Sequence, residues 1–176
     1  QVGGQDELVF DGGSFVVNAD HSLALQMPTF TSGVVMTEWR RVDDDWTCAP
    51  GPRTAPHEGL GALYRAVTLG LRDYVNKNRF PGVVLGLSGG IDSALSAAIA
   101  VDALGPDRVW CVMLPSKYSS EHSLADAVEC AELLKCRLDK VAIEPAVTAY
   151  ESMLGPLFEG REPDITEENI QPRARG

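Results

Sequence analysis

The sequence predicts an α/β fold with a doubly wound parallel sheet, preceded by a short β-rich segment. Three observations carry this. Val83 to Leu87 is a short apolar run rich in β-branched residues, the composition of a strand buried in a parallel sheet. It leads directly into an Ala- and Leu-rich stretch, Ile91 to Leu104, that reads as a helix. Further apolar runs, Arg108 to Leu114 and Lys140 to Ile143, alternate with helical stretches at βαβ spacing, which places helices on both faces of the sheet.

Length and composition bound the rest. The 176 residues, 44% of them hydrophobic, are enough for one domain with a real core, or for one domain plus a piece of another. A formal net charge of −10 argues against general binding to nucleic acid or an anionic membrane. The four cysteines, Cys48, Cys111, Cys130 and Cys136, show no C-x-x-C spacing. A reduced cytoplasmic protein fits them better than a disulfide scaffold or a zinc site, and Cys111 in its apolar run reads as a small buried hydrophobe. No run reaches transmembrane length and no signal peptide is visible. The start on Gln1 suggests a processed or partial product.

Residues 1–42 read as β structure: Leu8-Val9-Phe10, then Ser14 to Val17 and Ser22 to Gln26 around the turn Asn18-Ala19-Asp20-His21, then a weakly alternating segment from Gly33 to Trp39. So few short strands without a helix cannot stand alone. Residues 43–56 read as a linker, with Asp43-Asp44-Asp45 as a solvated acidic loop and three prolines by Pro56. Residues 57–176 follow as the second domain. Leu60, Leu63, Tyr64, Val67, Leu71 and Tyr74 form a helical apolar stripe expected to be core. After the second strand, Pro115 to Ser120 is a polar loop, and Ser119 or Ser120 can cap the next helix. A further helix is expected over Val147 to Phe158. Thr166 to Asn169 reads as a last helix start, where Asn169 and Arg173 share a face and Pro172 is tolerable only if the helix begins later.

The candidate site lies where the first parallel strand ends. Ser88, Gly89 and Gly90 make a tight turn, and Asp92 and Ser93 occupy the first turn of the helix that follows. Glycines let a ligand approach the backbone, and the helix N-terminus offers unpaired N–H groups with partial positive charge. Together these form an anion site, most naturally for phosphate. The turn is not a Walker P-loop, since no Lys follows the glycines. In an open parallel sheet ligands bind at the carboxyl ends of strands. The Ser88 turn and the Pro115 to Ser120 loop both lie at such ends.

The pattern Ser88-Gly89-Gly90-Ile91-Asp92-Ser93 resembles the PP-loop of the ATP pyrophosphatases, which have an adenine nucleotide alpha hydrolase-like fold and cleave ATP between its α- and β-phosphates. Pro115 to Ala127 resembles the second loop and helix of the glutamine-dependent NAD synthetases, and Glu168-Asn169-Ile170-Gln171-Pro172-Arg173-Ala174-Arg175-Gly176 resembles their E-N-x-Q-A-R-x-R-G segment, with Pro172 replacing the usual Ala. Val2 to Ser14 resembles the late part of a nitrilase-type amidase, the end of an α/β sandwich whose nucleophilic Cys, Glu and Lys precede it. The resemblance implies an ATP-dependent ligase that amidates deamido-NAD, with ammonia from glutamine, in a homo-oligomer. It implies ATP contacts at Gly86, Leu87, Ser88, Gly89, Gly90, Ile91, Asp92, Ser93 and Leu114, with Ser88 catalytic, Asp92 as the Mg²⁺ ligand, and deamido-NAD contacts at Asn169 and Arg173. His122 and Lys117 read as loop and helix-start residues. Two alternatives stay open: another PP-loop ligase or thiolase, and a catalytically incomplete nucleotide-binding module.

Overall fold

The computed structural model describes residues 1–116, 119–158 and 169–175. The chain forms two compact units, Gln1–Phe80 and Pro81–Gly176.

The first unit holds three antiparallel two-stranded ladders and one helix. Strands β1 (Val2–Gln5) and β2 (Leu8–Asp11) pair, as do β3 (Phe15–Val17) and β4 (Leu23–Gln26), and β5 (Trp39–Val42) and β6 (Asp45–Cys48). The β3–β4 hairpin matches expectation, and its turn is closed by Asn18 and His21. Within it the Ser22 hydroxyl and N–H both donate to the Asp20 carboxylate, which holds its pKa below the ordinary value. Two expectations need correction. The segment from Gly33 to Glu38 carries no strand; β5 begins only at Trp39. Part of the expected linker is the β5–β6 hairpin instead, turning at Asp43, whose φ is +54°. The acidic run therefore supplies a turn, which tolerates a left-handed Asp. Arg41 pairs with Asp44 across it.

Helix α1 (Gly59–Lys77) packs on β1 and β2. Its expected core stripe is mostly exposed: Leu60 at 84%, with Leu63, Val67 and Tyr74 also open, while Leu69 and Val75 are buried. The reason is how the helix meets the ladder. Gly70 lies against Gly4, so close that a Cβ on Gly4 would stand 3.0 Å from the Gly70 Cα. The Asp73 carboxylate accepts from the Gly4 N–H at 2.8 Å, and Lys77 donates to the Gly4 carbonyl. These polar clamps engage the face bearing Gly70, Asp73 and Lys77, spaced i, i+3, i+7, adjacent to the apolar stripe.

The second unit is a parallel sheet of β7 (Val83–Gly86), β8 (Val109–Met113) and β9 (Arg137–Lys140), in that order. Spatial order equals chain order, so right-handed crossovers put helices α2 (Ile91–Leu104) and α3 (Glu121–Leu134) on one face, where they touch each other, and these two crossovers do not supply the helices expected on both faces. Val109, Cys111 and Met113 are buried toward them, with Ala97, Ala100 and Ala103 of α2 and Ala127 and Ala131 of α3 allowing close approach. Val84 and Trp110 are exposed on the opposite face, with the Arg137 guanidinium 4.0 Å above the Trp110 ring. Strand β9 runs three residues earlier than its apolar residues indicate. Val141 and Ile143 continue its line, donating to the Met113 and Pro115 carbonyls, and Ile143 is buried beside α4 (Glu144–Phe158). A short helix α5 (Ile170–Arg175) completes the unit, and Ile143, Val147 and Ile170 form one apolar cluster joined by Leu114 and Leu154. Because α5 starts at Ile170, Pro172 falls in its first turn, where a missing N–H costs no helical bond. Thr166 lies outside the described residues.

Candidate functional site

The parallel ladder sets the position of the Ser88 turn. The Leu87 N–H donates to the Val112 carbonyl at 3.0 Å, extending β7 by one residue, and Leu87 is buried. The chain then leaves the sheet. Gly89 adopts φ +80°, a left-handed conformation that favours glycine. Gly90 is the N-cap of α2 and gives it no side-chain cap. The N–H groups of Ile91, Asp92 and Ser93 therefore have no intrahelical acceptor and no side chain from the N-cap.

The turn is braced from within by two serines. Ser88 Oγ accepts from the Gly90 N–H at 3.3 Å and lies 3.1 Å from Ser93 Oγ. Ser93 Oγ accepts from the Ser88 N–H and donates to the Gly90 carbonyl. With the Ser93 proton on Gly90, the Ser88 hydroxyl keeps a proton for Ser93 or for a ligand. Ser88 is exposed, so that exchange is sterically open.

Across from this turn stands the loop after β8. The Ser116 N–H donates to Ser119 Oγ, and the Ser119 N–H donates to the Ser116 carbonyl. Ser120 caps α3, accepting from the Ser123 N–H at 3.1 Å. A cavity of about 490 Å³ opens between these elements, lined by Gly86, Leu87, Ser88, Met113, Leu114, Pro115, Ser119, Ser120 and Ser123 among others. The expected convergence of two strand-end loops is thus present. Leu114 lines this cavity and also packs on the Ile143–Val147–Ile170 cluster.

The remaining candidates fall in two places. Gly89, Gly90, Ile91, Asp92 and Ser93 are on the turn and first helical turn, outside the cavity wall. Asn169 and Arg173 are elsewhere, lining a groove of about 210 Å³ with Tyr150, Leu154 and Ile170. They are joined by one helical bond, Arg173 N–H to the Asn169 carbonyl. Lys117 lies outside the described residues, and His122 sits in the first turn of α3 as expected. The sequence offers Ser119 or Ser120 as a cap and gives Ser123 no part in the site; the signal that marks Ser120 and Ser123 is their spacing, three apart at a helix start following a strand end.

Asp92 is the acidic residue in the first turn of α2, and its side chain is exposed. No cluster of three or more His, Cys, Asp or Glu residues capable of holding a metal occurs among the described residues. One open carboxylate beside a phosphate-sized anion site still fits Mg²⁺, which takes one or two carboxylates and completes its shell with phosphate oxygens and water. The cysteines are free, as expected. Burial, then the Cys136 thiol 3.7 Å away, pushes the Cys111 thiol up to about 12.

A parallel sheet whose strand end carries a glycine turn feeding an uncapped helix places this unit among α/β domains that receive anionic groups at a strand–helix junction. The sequence model of the family described as NAD synthase matches residues 63–176, and the chain belongs to that family. It is 53% identical over 175 residues to the glutamine-dependent NAD(+) synthetase of Rhodobacter capsulatus, an alignment covering 99% of this chain and 32% of the relative. Among solved structures, that of the glutamine-dependent NAD+ synthetase from Acinetobacter baumannii in complex with ADP matches with TM-score 0.91 and 43% identity, over 99% of this chain and 33% of that one. The NH3-dependent NAD synthetase of Campylobacter jejuni matches with TM-score 0.58 and 25% identity, over 68% of this chain and 49% of that one. The chain thus spans about a third of the length of the glutamine-dependent relatives. No helix among the described residues is long and apolar enough to cross a membrane.

Proposed function

We propose that the second unit is the ATP-binding part of a ligase that converts deamido-NAD to NAD. The observation that carries this reading is the uncapped start of α2 at the mouth of a strand-end cavity, in a chain of the NAD synthase family. The solved relative is a complex with adenosine diphosphate, which supports nucleotide binding by this chain as well.

The chemistry runs in two steps. The nicotinate carboxylate of deamido-NAD attacks the α-phosphorus of ATP. A new P–O bond forms, the α–β bridge breaks, and pyrophosphate leaves. Ammonia then attacks the acyl carbon of the adenylate, AMP departs, and the amide remains. Little covalent work falls to the protein, so donors aimed at the departing pyrophosphate matter most. The N–H groups of Gly89 to Ser93 and the Ser88 hydroxyl fill that role. Leu114 flanks the adenine with its main chain. Asp92 would hold Mg²⁺, which would offset the charge of the phosphates. Without a cation, a first-turn carboxylate would repel the phosphates. Asn169 and Arg173 would take deamido-NAD in the groove between α4 and α5. In the intact protein, a nitrilase-type amidase ending in the first unit would supply ammonia from glutamine, in a homo-oligomeric enzyme.

The test is pyrophosphate release from ATP by the intact protein, with deamido-NAD, xanthosine monophosphate and aspartate offered separately. Release with deamido-NAD alone is expected. Release with another acceptor would assign a different ligase, and ATP binding without release would leave a nucleotide-binding module.

A further inference from the structure

The Ser88 turn has a support that lies outside its own segment. A Cβ built on Gly89 would stand 2.1 Å from the Ser123 carbonyl oxygen and 2.8 Å from both the Ser123 C and Cα. Gly89 therefore rests directly on the main chain of the first turn of α3. That first turn is in turn held by Ser120. Its hydroxyl accepts the Ser123 N–H at 3.1 Å and lies 2.9 Å from Ser123 Oγ, and its carbonyl accepts the Leu124 N–H. The two helix starts are thus unequal. Helix α3 is closed by a side-chain cap, whereas α2 has none and depends on the turn before it.

We propose that Ser120 is a positioning residue for the anion turn: by capping α3 it holds the Ser123 main chain against Gly89, which keeps the Ser88–Gly90 turn formed before a ligand arrives. This rests on the reading of that turn as the ATP site. The physical logic is preorganisation. The bonds inside the turn, 2.9 to 3.3 Å, run through two exposed or half-exposed serines. Water competes for such bonds. A packed backbone contact does not depend on them, and it forbids Gly89 from swinging toward α3. Fraying of the α3 start removes that stop. ATP must then order the turn itself, and its affinity falls by the fraction of molecules in which the turn is formed.

The experiment compares wild type, Ser120→Ala, Ser120→Thr and Ser120→Asn in the intact protein. Two quantities are read: the Kd for ATP with Mg²⁺ by calorimetry, and amide hydrogen exchange of the segment 86–93 without nucleotide, with the α1 segment as internal reference. Loss of a cap predicts roughly tenfold weaker ATP binding in Ser120→Ala. Exchange in 86–93 should rise several-fold relative to α1, and the two capping replacements should restore both values. Weaker ATP binding with unchanged exchange would overturn the proposal and make Ser120 a direct ligand contact. Faster exchange with unchanged ATP affinity would also overturn it, since the contact would then be irrelevant to the site. A wild-type protein that binds no ATP would instead sink the nucleotide reading, while the exchange comparison would still decide whether Ser120 holds the turn.

Discussion

Gly89 concentrates the account in one residue. Its φ of +80° and the Ser123 carbonyl 2.1 Å from where a Cβ would stand act together, so Gly89→Ala meets both backbone strain and a clash that no rotamer relieves. The expected loss is roughly 2–4 kcal/mol of stability, the sum of a left-handed alanine and an overpacked contact. Urea unfolding measures it, and a midpoint equal to wild type would show that the turn can relocate freely. The neighbouring polar residues bear on rate instead. Ser88→Ala or Asp92→Asn should each lower pyrophosphate release by roughly 10²–10³-fold, the scale of a lost preorganised donor. Near-normal release in both would remove their assigned roles. Cys111 shows how burial sets chemistry at one atom. Its thiol, raised from 9.0 to about 12, keeps its proton in the folded chain over a range where the unfolded chain has lost it. Stability should therefore fall as pH rises above about 9. At pH 8 the folded protein should leave Cys111 unlabelled by iodoacetamide, and rapid native-state labelling would contradict its burial.

At the scale of elements, sequence and structure agree where local pattern and tertiary contact ask for the same thing. The run from Val83 through Leu104 was legible because apolar strand, glycine turn and Ala-rich helix each carry a strong local signal, and all three sit within two residues of the expected bounds. The cap of α3 is legible to within one residue for the same reason: the sequence offers Ser119 or Ser120, and the structure uses Ser120. The failures have tertiary causes. Strand β9 is Arg137–Lys140, a mostly charged stretch recruited by pairing with β8, whereas of the more apolar Val141 to Ile143 only Ile143 joins the α4 cluster. Helix α1 lies where the spacing predicts it, but the apolar stripe that predicts its buried face is mostly exposed. What decides its packing is a glycine-to-glycine approach plus Asp73 on the Gly4 amide, a polar clamp that hydrophobic periodicity cannot report. Asp73→Ala should leave the Gly4 N–H without its acceptor and cost about 1–3 kcal/mol. A thermal midpoint unchanged within a degree would show the clamp to be dispensable.

For the whole molecule, the strand-end cavity was foreseeable from topology, because parallel strands joined by helices bring successive loops to one edge. The contact between Gly89 and Ser123 was not, since it joins residues 34 positions apart through backbone atoms that no motif encodes. Nor could the sequence separate the two cavities. Motif order leaves their spacing open, while the structure puts Ser88 and Leu114 in one hollow and Asn169 with Arg173 in another, with Leu114 packed on the cluster that includes Ile170. An acidic chain can hold a polyphosphate only by gathering its positive potential locally, and the open start of α2 is where that potential is unspent. The most direct test is a crystal structure of the intact protein with Mg²⁺ and a non-cleavable α,β-methylene analogue of ATP. The phosphate chain should lie within about 3 Å of the Ile91 to Ser93 amides, the range of a hydrogen bond. Phosphates bound elsewhere, with those amides still turned to solvent, would contradict the account.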